Sequence, residues 1–354
     1  MASDSLDHLI VGSTPVAGLV AGLLAIEHGK RVCLVGEPFS PFRLQRHFGL
    51  SISAVTRPET LILIKRAATE TGKLVNSIGK GLMSRVDPLF IAETPDSAAA
   101  LSHFRHLAIS LGYAVEPVAD RSLPGALLLK VRDAQLLGHG RLEPALETWL
   151  ARHEVRHLDA AETAITLRKD GTARIAHDGR TVDAAEAVLL GDRAILRYLD
   201  ADSLDRSIET IPGASFLLEG GKPLPSPFVS YIDRGVMLEQ DGRVSISALV
   251  SGDPTTARAR LGSASARSGA LRIAGEMAHP TLRTADGAPY IGPARGSKTN
   301  IVAGLGPVAP FLAPLLARHL AGKSASDEAQ WIASRGPTRG NQRLQVAEYV
   351  AVPA

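Results

Sequence analysis

The 354-residue chain carries a net charge of only +3, with 45% hydrophobic and 4% aromatic residues. Its cations are scattered, so the charge does not indicate nucleic-acid binding. The single cysteine, Cys33, excludes a disulfide or a cysteine-based metal site within one chain. No run approaches the roughly 18–20 apolar residues of a membrane span, and the first residues lack the basic-then-apolar pattern of a signal peptide. We therefore expect a cytoplasmic protein of about two domains, without a membrane span.

The segment from Asp7 to Glu37 has the pattern strand, glycine turn, helix, strand. Apolar residues 9–11 and 32–35 predict two buried strands, with a helix over about 15–28 between them. Such a unit binds a pyrophosphate, because glycines let the backbone approach the phosphates and the helix N-terminus offers free N–H groups. The turn is one residue longer than G-x-G-x-x-G and lacks its middle glycine, so an ordinary βαβ start without a ligand stays open. The candidate cofactor-binding residues here are Gly12, Ser13, Thr14, Pro15, Gly18 and Glu37.

Beyond this unit the hydrophobic pattern predicts alternating helices and strands. Helices are expected at 56–78, 97–112, 141–153, 252–277 and about 310–320. Strands are expected at 84–94, 115–131, 187–190 and 300–303, with a β-rich section at 214–250. Asp-Gly pairs at 170–171 and 178–179 predict two hairpin turns before the strand at 187–190. The tail from residue 323 is polar, and we expect it to be ordered only by docking on the rest of the chain.

Two segments resemble motifs of one family. Residues 286–293, DGAPYIGP, are similar to a D-G-x-P-x-I-G-P signature, and residues 141–191, from RLEPAL to AEAVLLG, are similar to a helix, meander and strand. In this order they resemble the FAD-dependent D-amino-acid oxidase family, which includes glycine and sarcosine oxidases and dimethylglycine dehydrogenases. The resemblance implies an α/β fold in which a Rossmann-like FAD-binding domain, a parallel sheet with a β-meander, is interleaved with a mixed-sheet substrate domain. The implied FAD-binding parts are 1–83, 141–204 and 278–322, the substrate-domain parts are 84–140 and 205–277, and 323–354 is a C-terminal tail.

The resemblance also implies a cofactor, a substrate class and site residues. It implies FAD, and oxidation of the C–N bond of a small amine or amino acid by hydride transfer to flavin N5. Tyr231 and Arg234 lie where the family presents a tyrosine over the flavin ring. Thr281 stands in place of the family's arginine that binds the substrate carboxylate, and Arg283 either takes over that role or points to solvent. Further cofactor contacts are implied at Gly191, Gly292, Gly304, Gly306, Pro307 and Val308.

Two groups of basic residues have more than one interpretation. His47 lies in a segment, RHFGL, that looks like the one through which some dimethylglycine-dehydrogenase relatives attach FAD covalently. Packing near the flavin without a bond and a surface position are the alternatives. The cations Arg43, Arg46, Lys65 and Arg66 either face phosphates or form a solvated face. The sequence has no zinc-binding spacing, no Ser-His-Asp arrangement and no P-loop, so no metal is expected.

Three functions remain open from the sequence. The first is a FAD-dependent amine or amino-acid oxidoreductase, in which the flavin carries the redox step and no protein acid or base is required. The second is a flavin monooxygenase with 188–192 as its glycine-aspartate signature, although no Gly-Asp precedes the last helix. The third is a non-catalytic or partner subunit, with or without FAD, because the glycine turn is altered and the arginine is absent. Homo- and hetero-oligomers are compatible with all three.

Overall fold

The computed structural model describes residues 5–242, 245–265, 271–337 and 348. Its helices are α1 (Pro15–Ile26), α2 (Pro58–Ile78), α3 (Pro95–Ser110), α4 (His139–Arg152), α5 (Asp192–Tyr198), α6 (Pro254–Ser265), α7 (Ala313–Leu320) and α8 (Ser326–Ala333). Its strands are β1 (Leu6–Val11), β2 (Val32–Gly36), β3 (Met83–Val86), β4 (Leu89–Ala92), β5 (Val115–Val118), β6 (Leu127–Val131), β7 (Ala134–Leu137), β8 (Arg156–Asp159) and β9 (Ala164–Leu167). They continue with β10 (Ala173–His177), β11 (Arg180–Leu190), β12 (Ile208–Gly220), β13 (Phe228–Tyr231), β14 (Val236–Asp241), β15 (Ser245–Ser251), β16 (Leu271–Thr284), β17 (Tyr290–Pro293) and β18 (Asn300–Ala303).

The first sheet has the strand order β17-β18-β11-β1-β2-β8, and β10 and β9 extend it from β11. The pairs β1–β2, β1–β11, β2–β8 and β11–β18 are parallel. The antiparallel strands β9, β10 and β11 form the meander. The two predicted Asp-Gly turns connect them, and Asp178 and Gly179 both have the positive φ that such hairpin turns need, 47° and 70°. The predicted parallel sheet with a meander is therefore confirmed.

Both faces of this sheet are covered, which explains why its central strands are apolar without alternation. In β1, Ile10 packs on the face that carries α1, α4 and α7, whereas Leu9 and Val11 pack on the face that carries α5 and the meander. Helix α1 lies at the centre of the first of these layers. Ten of its twelve residues are buried, so its position is set by packing on all sides.

The second sheet has the strand order β16-β12-β15-β14-β13-β4-β6-β5. Its pairs are antiparallel except β13–β4, which is parallel, so the sheet is mixed as the sequence predicted. One face packs on α6 around Phe216 and Leu218. The strands of the two sheets alternate along the chain, so the predicted interleaving of the parallel sheet with the mixed sheet is confirmed. The predicted boundaries between the segments stay a prediction.

Two predicted elements differ from the structure, and the polar tail docks on the rest of the chain as expected. Of the helix expected over 252–277, the structure contains only α6, which ends at Ser265. Residues from Leu271 onward form β16 instead, because they pair along the whole length of β12. The helix expected from Pro310 is a 3₁₀ segment, Gly306–Leu312, that leads into α7. The polar tail forms α8, in which Trp331 and Ile332 are buried against the first layer of helices. None of the helices within the described ranges is both long enough and apolar enough to cross a bilayer.

Candidate active site

A cleft of about 2000 Å³ lies between the two sheets. One side is formed where β1, β11 and β18 end, by Ser13, Thr14, Gly191 and Gly304 among others. The carboxyl ends of parallel strands are where α/β sheets bind their ligands. The opposite side is the face of β12, β14, β15 and β16 that turns away from α6. A ligand in this cleft would therefore contact both sheets.

The turn after β1 is as tight as a dinucleotide-binding turn. A Cβ atom added to Gly12 would lie 2.4 Å from the carbonyl oxygen of Leu190, and one added to Gly36 would lie 2.4 Å from the carbonyl oxygen of Gly12. The Ser13 hydroxyl accepts a hydrogen bond of 2.8 Å from the N–H of Glu37. Backbone contacts at these distances exclude any side chain, which explains why glycine, and not an acidic residue, ends β2.

The N-terminus of α1 opens into the cleft without a side-chain cap. Thr14 is the N-cap residue, and its own hydroxyl is buried without a hydrogen-bond partner. Pro15 occupies the first helical position, where its missing N–H costs nothing. The free N–H groups and the positive dipole end of such a helix bind anions. Gly18 has a different role, because its added Cβ would lie 2.5 Å from Leu146 of α4, so this glycine allows two helices to pack closely.

Three arginines surround Glu37 beside this turn. Its carboxylate lies 3.5 Å from Arg43 Nη1 and 3.1 Å from Arg46 Nη1, and Arg193 contacts its other oxygen. All three arginines line the cleft, so this end of it has a net positive charge. Of the four cations that the sequence grouped together, Lys65 and Arg66 lie instead on α2, where they bond the carbonyl of residue 111 and the carboxylate of residue 327.

His47 lines the cleft together with His139 and Glu143 of α4. The two imidazole rings meet edge to face with centroids 4.6 Å apart, and none of their four nitrogens has a hydrogen-bond partner. Burial lowers the pKa of His139 to about 4 and that of His47 well below its usual range, while it raises the pKa of Glu143. Both histidines are therefore neutral and can bond a polar ligand.

Among the described residues, His47, His139 and Glu143 are also close enough to hold a metal ion, with candidate ligand atoms within 4.8 Å of one another. Two observations argue against a cation. Metal-binding histidines almost always donate their second nitrogen to a fixed acceptor, and these have none. The positive charges of Arg43 and Arg46 also act on His47. The absence of a metal stays a prediction.

The substrate residues implied by the sequence separate in space. Tyr231 is at the end of β13 beside the cleft, and its buried side chain packs in the cluster on the α6 side of the second sheet. Arg234 does not line it, and donates two hydrogen bonds of 2.5 Å to the carboxylate of Glu93. Arg283 lies at the rim, paired with Glu209 at 3.1 Å. No arginine of β16 is therefore available to bind a carboxylate inside the cleft.

The remaining implied cofactor residues lie in two environments. Gly191, Gly304, Gly306 and Pro307 line the cleft, and Gly191 has a φ of 100°, a conformation that favours glycine. Gly292 lies in β17 against Pro337, and the side chain of Val308 is fully buried in the core. Gly292 and Val308 therefore do not line the cleft.

Sequence reasoning missed several polar residues of the opposite wall. His279 of β16 lines the cleft and shares a hydrogen bond of 3.1 Å with Ser215 of β12. Glu239 of β14 is buried there with one oxygen unpaired. No sequence signal marked Glu239, because Gln240 and Asp241 follow it in β14 and the three residues look like the polar end of a strand.

Comparisons with known proteins agree with this architecture. No protein-family model matches the chain, and no curated protein sequence matches it. Among solved structures, an L-amino acid deaminase from Proteus vulgaris aligns with a TM-score of 0.72 at 13% identity, over 96% of this chain and 94% of that one. The L-proline dehydrogenase from P. horikoshii aligns with a TM-score of 0.72 at 15% identity, over 95% and 98%. The glycine oxidase from Geobacillus kaustophilus aligns with a TM-score of 0.71 at 17% identity, over 95% and 99%. The resemblance to the D-amino-acid oxidase family is thus confirmed at the level of the fold.

Proposed function

We propose that this chain is a FAD-dependent oxidoreductase that oxidises the C–N bond of a small amine or amino acid. The observation that carries the proposal is the cleft, which joins an anion-binding helix N-terminus to a polar wall of a second sheet. The similarity in fold to amino-acid-oxidising proteins supports the same reaction type. Fold alone does not fix function, so the proposal depends on the residues of the cleft.

These residues fit a flavin dinucleotide. The backbone of Ser13 and Thr14 at the start of α1 would hold the pyrophosphate, since that helix end is uncapped and the Thr14 hydroxyl lacks a partner. Arg43 and Arg46 would add positive charge beside it. Glu37 stands after β2, where an acidic residue binds ribose hydroxyls. When bound, FAD supplies the redox chemistry by accepting a hydride at N5 from the carbon of the C–N bond.

The chain itself provides position and a dry environment for that reaction. The apolar side chains of Phe228, Met277 and Leu249 line the wall opposite the strand ends and limit the access of water. His47 and His139, neutral and unpartnered, offer hydrogen bonds to polar atoms of a bound ligand. Amines and amino acids are ammonium ions at pH 7, so one N–H proton leaves to solvent before the hydride is transferred, and the main task of the protein is orientation.

The proposal is tested by loading the purified protein with FAD and recording the absorbance at about 450 nm. Acid precipitation then shows whether the colour stays with the pellet, as covalent attachment at His47 requires. Reduction of the flavin without oxygen by amines and amino acids tests the reaction, and a need for NADPH would instead indicate a monooxygenase. Gly12→Ala should abolish FAD uptake, because its Cβ has no room. Gly262→Ala, with no atom within 4 Å, is the matched control.

A non-catalytic subunit with the same fold is the second candidate. The observation that favours it is the pairing of Arg283 with Glu209, which leaves β16 without a carboxylate anchor. A protein that takes up FAD but is reduced by neither amines nor amino acids would support this candidate. A protein that takes up no FAD would contradict the first proposal altogether.

A further inference from the structure

The wall of the cleft formed by the second sheet carries an unpaired carboxyl group. Glu239 lies in β14, directly opposite Ser247 of β15 on one side and Phe228 of β13 on the other. All three residues line the cleft. Directly opposed residues of neighbouring strands point to the same face with their Cβ atoms about 5 Å apart. The carboxyl group, the hydroxyl and the aromatic ring therefore lie side by side.

The environment of Glu239 is unfavourable for a carboxyl group unless a ligand binds it. The residue is only 5% exposed, and its Oε2 atom has no hydrogen-bond partner. Burial, with a smaller contribution from the charge of Asp241, raises the pKa of Glu239 to about 8. Its cross-strand neighbours on this face are uncharged, first Ser247 and Phe228, and next along the row Leu217. Nothing that the structure describes compensates the cost of burying this group.

Among the residues of this wall that the structure describes, no cation is free to bind a substrate carboxylate. Arg283 is paired with Glu209, and Arg260 donates to the carbonyl oxygen of Ser251. Arg46 reaches the wall at Met277, but its Nη1 atom is bound to Glu37. The described part of the wall therefore offers a carboxyl group, which suits a cationic amine, and no free cation to bind the carboxylate of an amino acid.

We propose that Glu239, together with Ser247 and Phe228, binds the ammonium group of a substrate that is a cationic amine without a carboxylate. This inference rests on the proposed function and names its substrate class. The carboxylate and the hydroxyl accept N–H bonds from the ammonium group, and the face of an aromatic ring attracts a cation. A carboxylate on the ligand would instead approach Glu239 and Asp241 and be repelled.

The proton balance of this binding event is defined. An alkylammonium ion that enters the cleft at pH 7 replaces the proton on Glu239, and that proton leaves to the buffer. The ammonium ion and the neutral acid together carry a charge of +1. The ammonium–carboxylate pair that they form is neutral, and the released proton carries the positive charge away. Because burial keeps most Glu239 protonated in the empty cleft, close to one proton is released per ligand.

The test is isothermal titration calorimetry on the FAD-loaded protein with three probes: n-butylamine, norvaline, which is the same amine with a carboxylate, and 1-butanol. We expect n-butylamine to bind at least about tenfold more tightly than either other probe, as a charge-assisted hydrogen bond requires. Repeating the titration in buffers of different ionisation enthalpy should reveal the released proton. Glu239→Gln should lose about tenfold in affinity and the proton release. Glu276→Gln, a cleft carboxylate already paired with Arg258, is the control and should change neither.

Three outcomes would overturn the inference: norvaline binding as tightly as n-butylamine, no proton release, or equal losses in Glu239→Gln and Glu276→Gln. Failure of n-butylamine to bind would overturn it as well. None of these readouts depends on turnover. Glu239-dependent binding of n-butylamine without any flavin reduction would therefore contradict the proposed function and leave the ammonium site standing.

Discussion

The side chain of Glu348 is fully buried and ties the C-terminal part of the chain to α2. Its Oε1 atom accepts a hydrogen bond of 2.6 Å from Arg335, which follows α8, and another from the Thr60 hydroxyl. Its Oε2 atom accepts one of 3.1 Å from Arg57. Its backbone N–H donates to the carbonyl of Asp286, one residue before a cleft-lining glycine. The carboxylate of Glu348 thus connects α2 to Arg335 after α8, and its backbone N–H connects both to a turn at the edge of the cleft.

Glu348→Gln is expected to lower the free energy of unfolding by about 3–5 kcal/mol, because it leaves a buried guanidinium without a neutralising charge. Arg335 is only 2% exposed, and the other carboxylate near it, that of Glu59, lies 3.6 Å away and is half exposed. At about 2 °C per kcal/mol for a chain of this size, the melting temperature should fall by roughly 6–10 °C. The double variant Arg335→Met/Glu348→Leu should recover most of the loss, since it removes the two fully buried charges together and leaves only the partly exposed Arg57 without its partner.

Thermal unfolding followed by circular dichroism measures these changes. The control is Arg85→Gln, which breaks a 3.9 Å pair with Asp133 in which both side chains are more than 70% exposed. It should cost less than about 1 kcal/mol. A loss in Glu348→Gln no larger than in Arg85→Gln would refute the reasoning. So would a double variant as unstable as the single one, because the penalty would then not arise from an uncompensated charge.

Three further outcomes are expected. Gly22→Ala should destabilise the fold by about 1–3 kcal/mol in urea unfolding, because its Cβ would lie 2.0 Å from the rigid ring of Trp149. Stability should decrease as the pH falls from about 6.5 to about 4, because His139 stays neutral in the folded chain while the unfolded chain takes up a proton, and His139→Phe should remove up to about 3 kcal/mol of that dependence. Arg283→Ala should leave the calorimetric affinity for norvaline within about twofold, because its guanidinium is engaged by Glu209 at the rim.

The first two of these have a control in the same chain. Gly262→Ala in α6 has open space around its Cβ and should not destabilise the fold. The substitution His106→Asn, at an exposed position, should leave the pH dependence of the stability unchanged. An unchanged pH profile in His139→Phe, or a tenfold loss of norvaline affinity in Arg283→Ala, would contradict the corresponding argument.

The parts of the fold that the sequence predicted are those whose signal is local. The apolar runs of β1 and β2 and the Asp-Gly turns of the meander need no partner to be recognised, because they are set by burial and by backbone conformation. The helix expected over 252–277 was wrong in its second half for the opposite reason. Leu271–Thr284 is a strand because it pairs with β12, more than fifty residues earlier in the chain. The local pattern of hydrophobic residues carries no information about a partner so distant in the sequence.

The glycine turn after β1 was predictable from the sequence, and the polar wall of the second sheet was not. Gly12 and Gly18 belong to a pattern with a physical meaning at fixed spacing, and the structure gives each a close contact. The neighbours of Glu239 come from three different strands, so no sequence spacing relates them. The roles implied for Arg234 and Arg283 could not be judged from the sequence either, because their partners, Glu93 and Glu209, are distant in the chain.

The arrangement of charges in the cleft does not suit the binding of a free amino acid. At the end beside α1, Arg43 and Arg46 lie around Glu37 with Arg193 and leave a positive charge that suits phosphates. At the opposite wall the buried carboxyl group of Glu239 has an unpaired oxygen and can accept hydrogen bonds from a cation. An anionic substrate group would be drawn toward the arginines, where a dinucleotide would compete for the same positive charge, and away from the second sheet. A cationic substrate would be attracted in the reverse direction, so under the proposed function the same arrangement of charges would direct the dinucleotide and the substrate to opposite sides of the cleft.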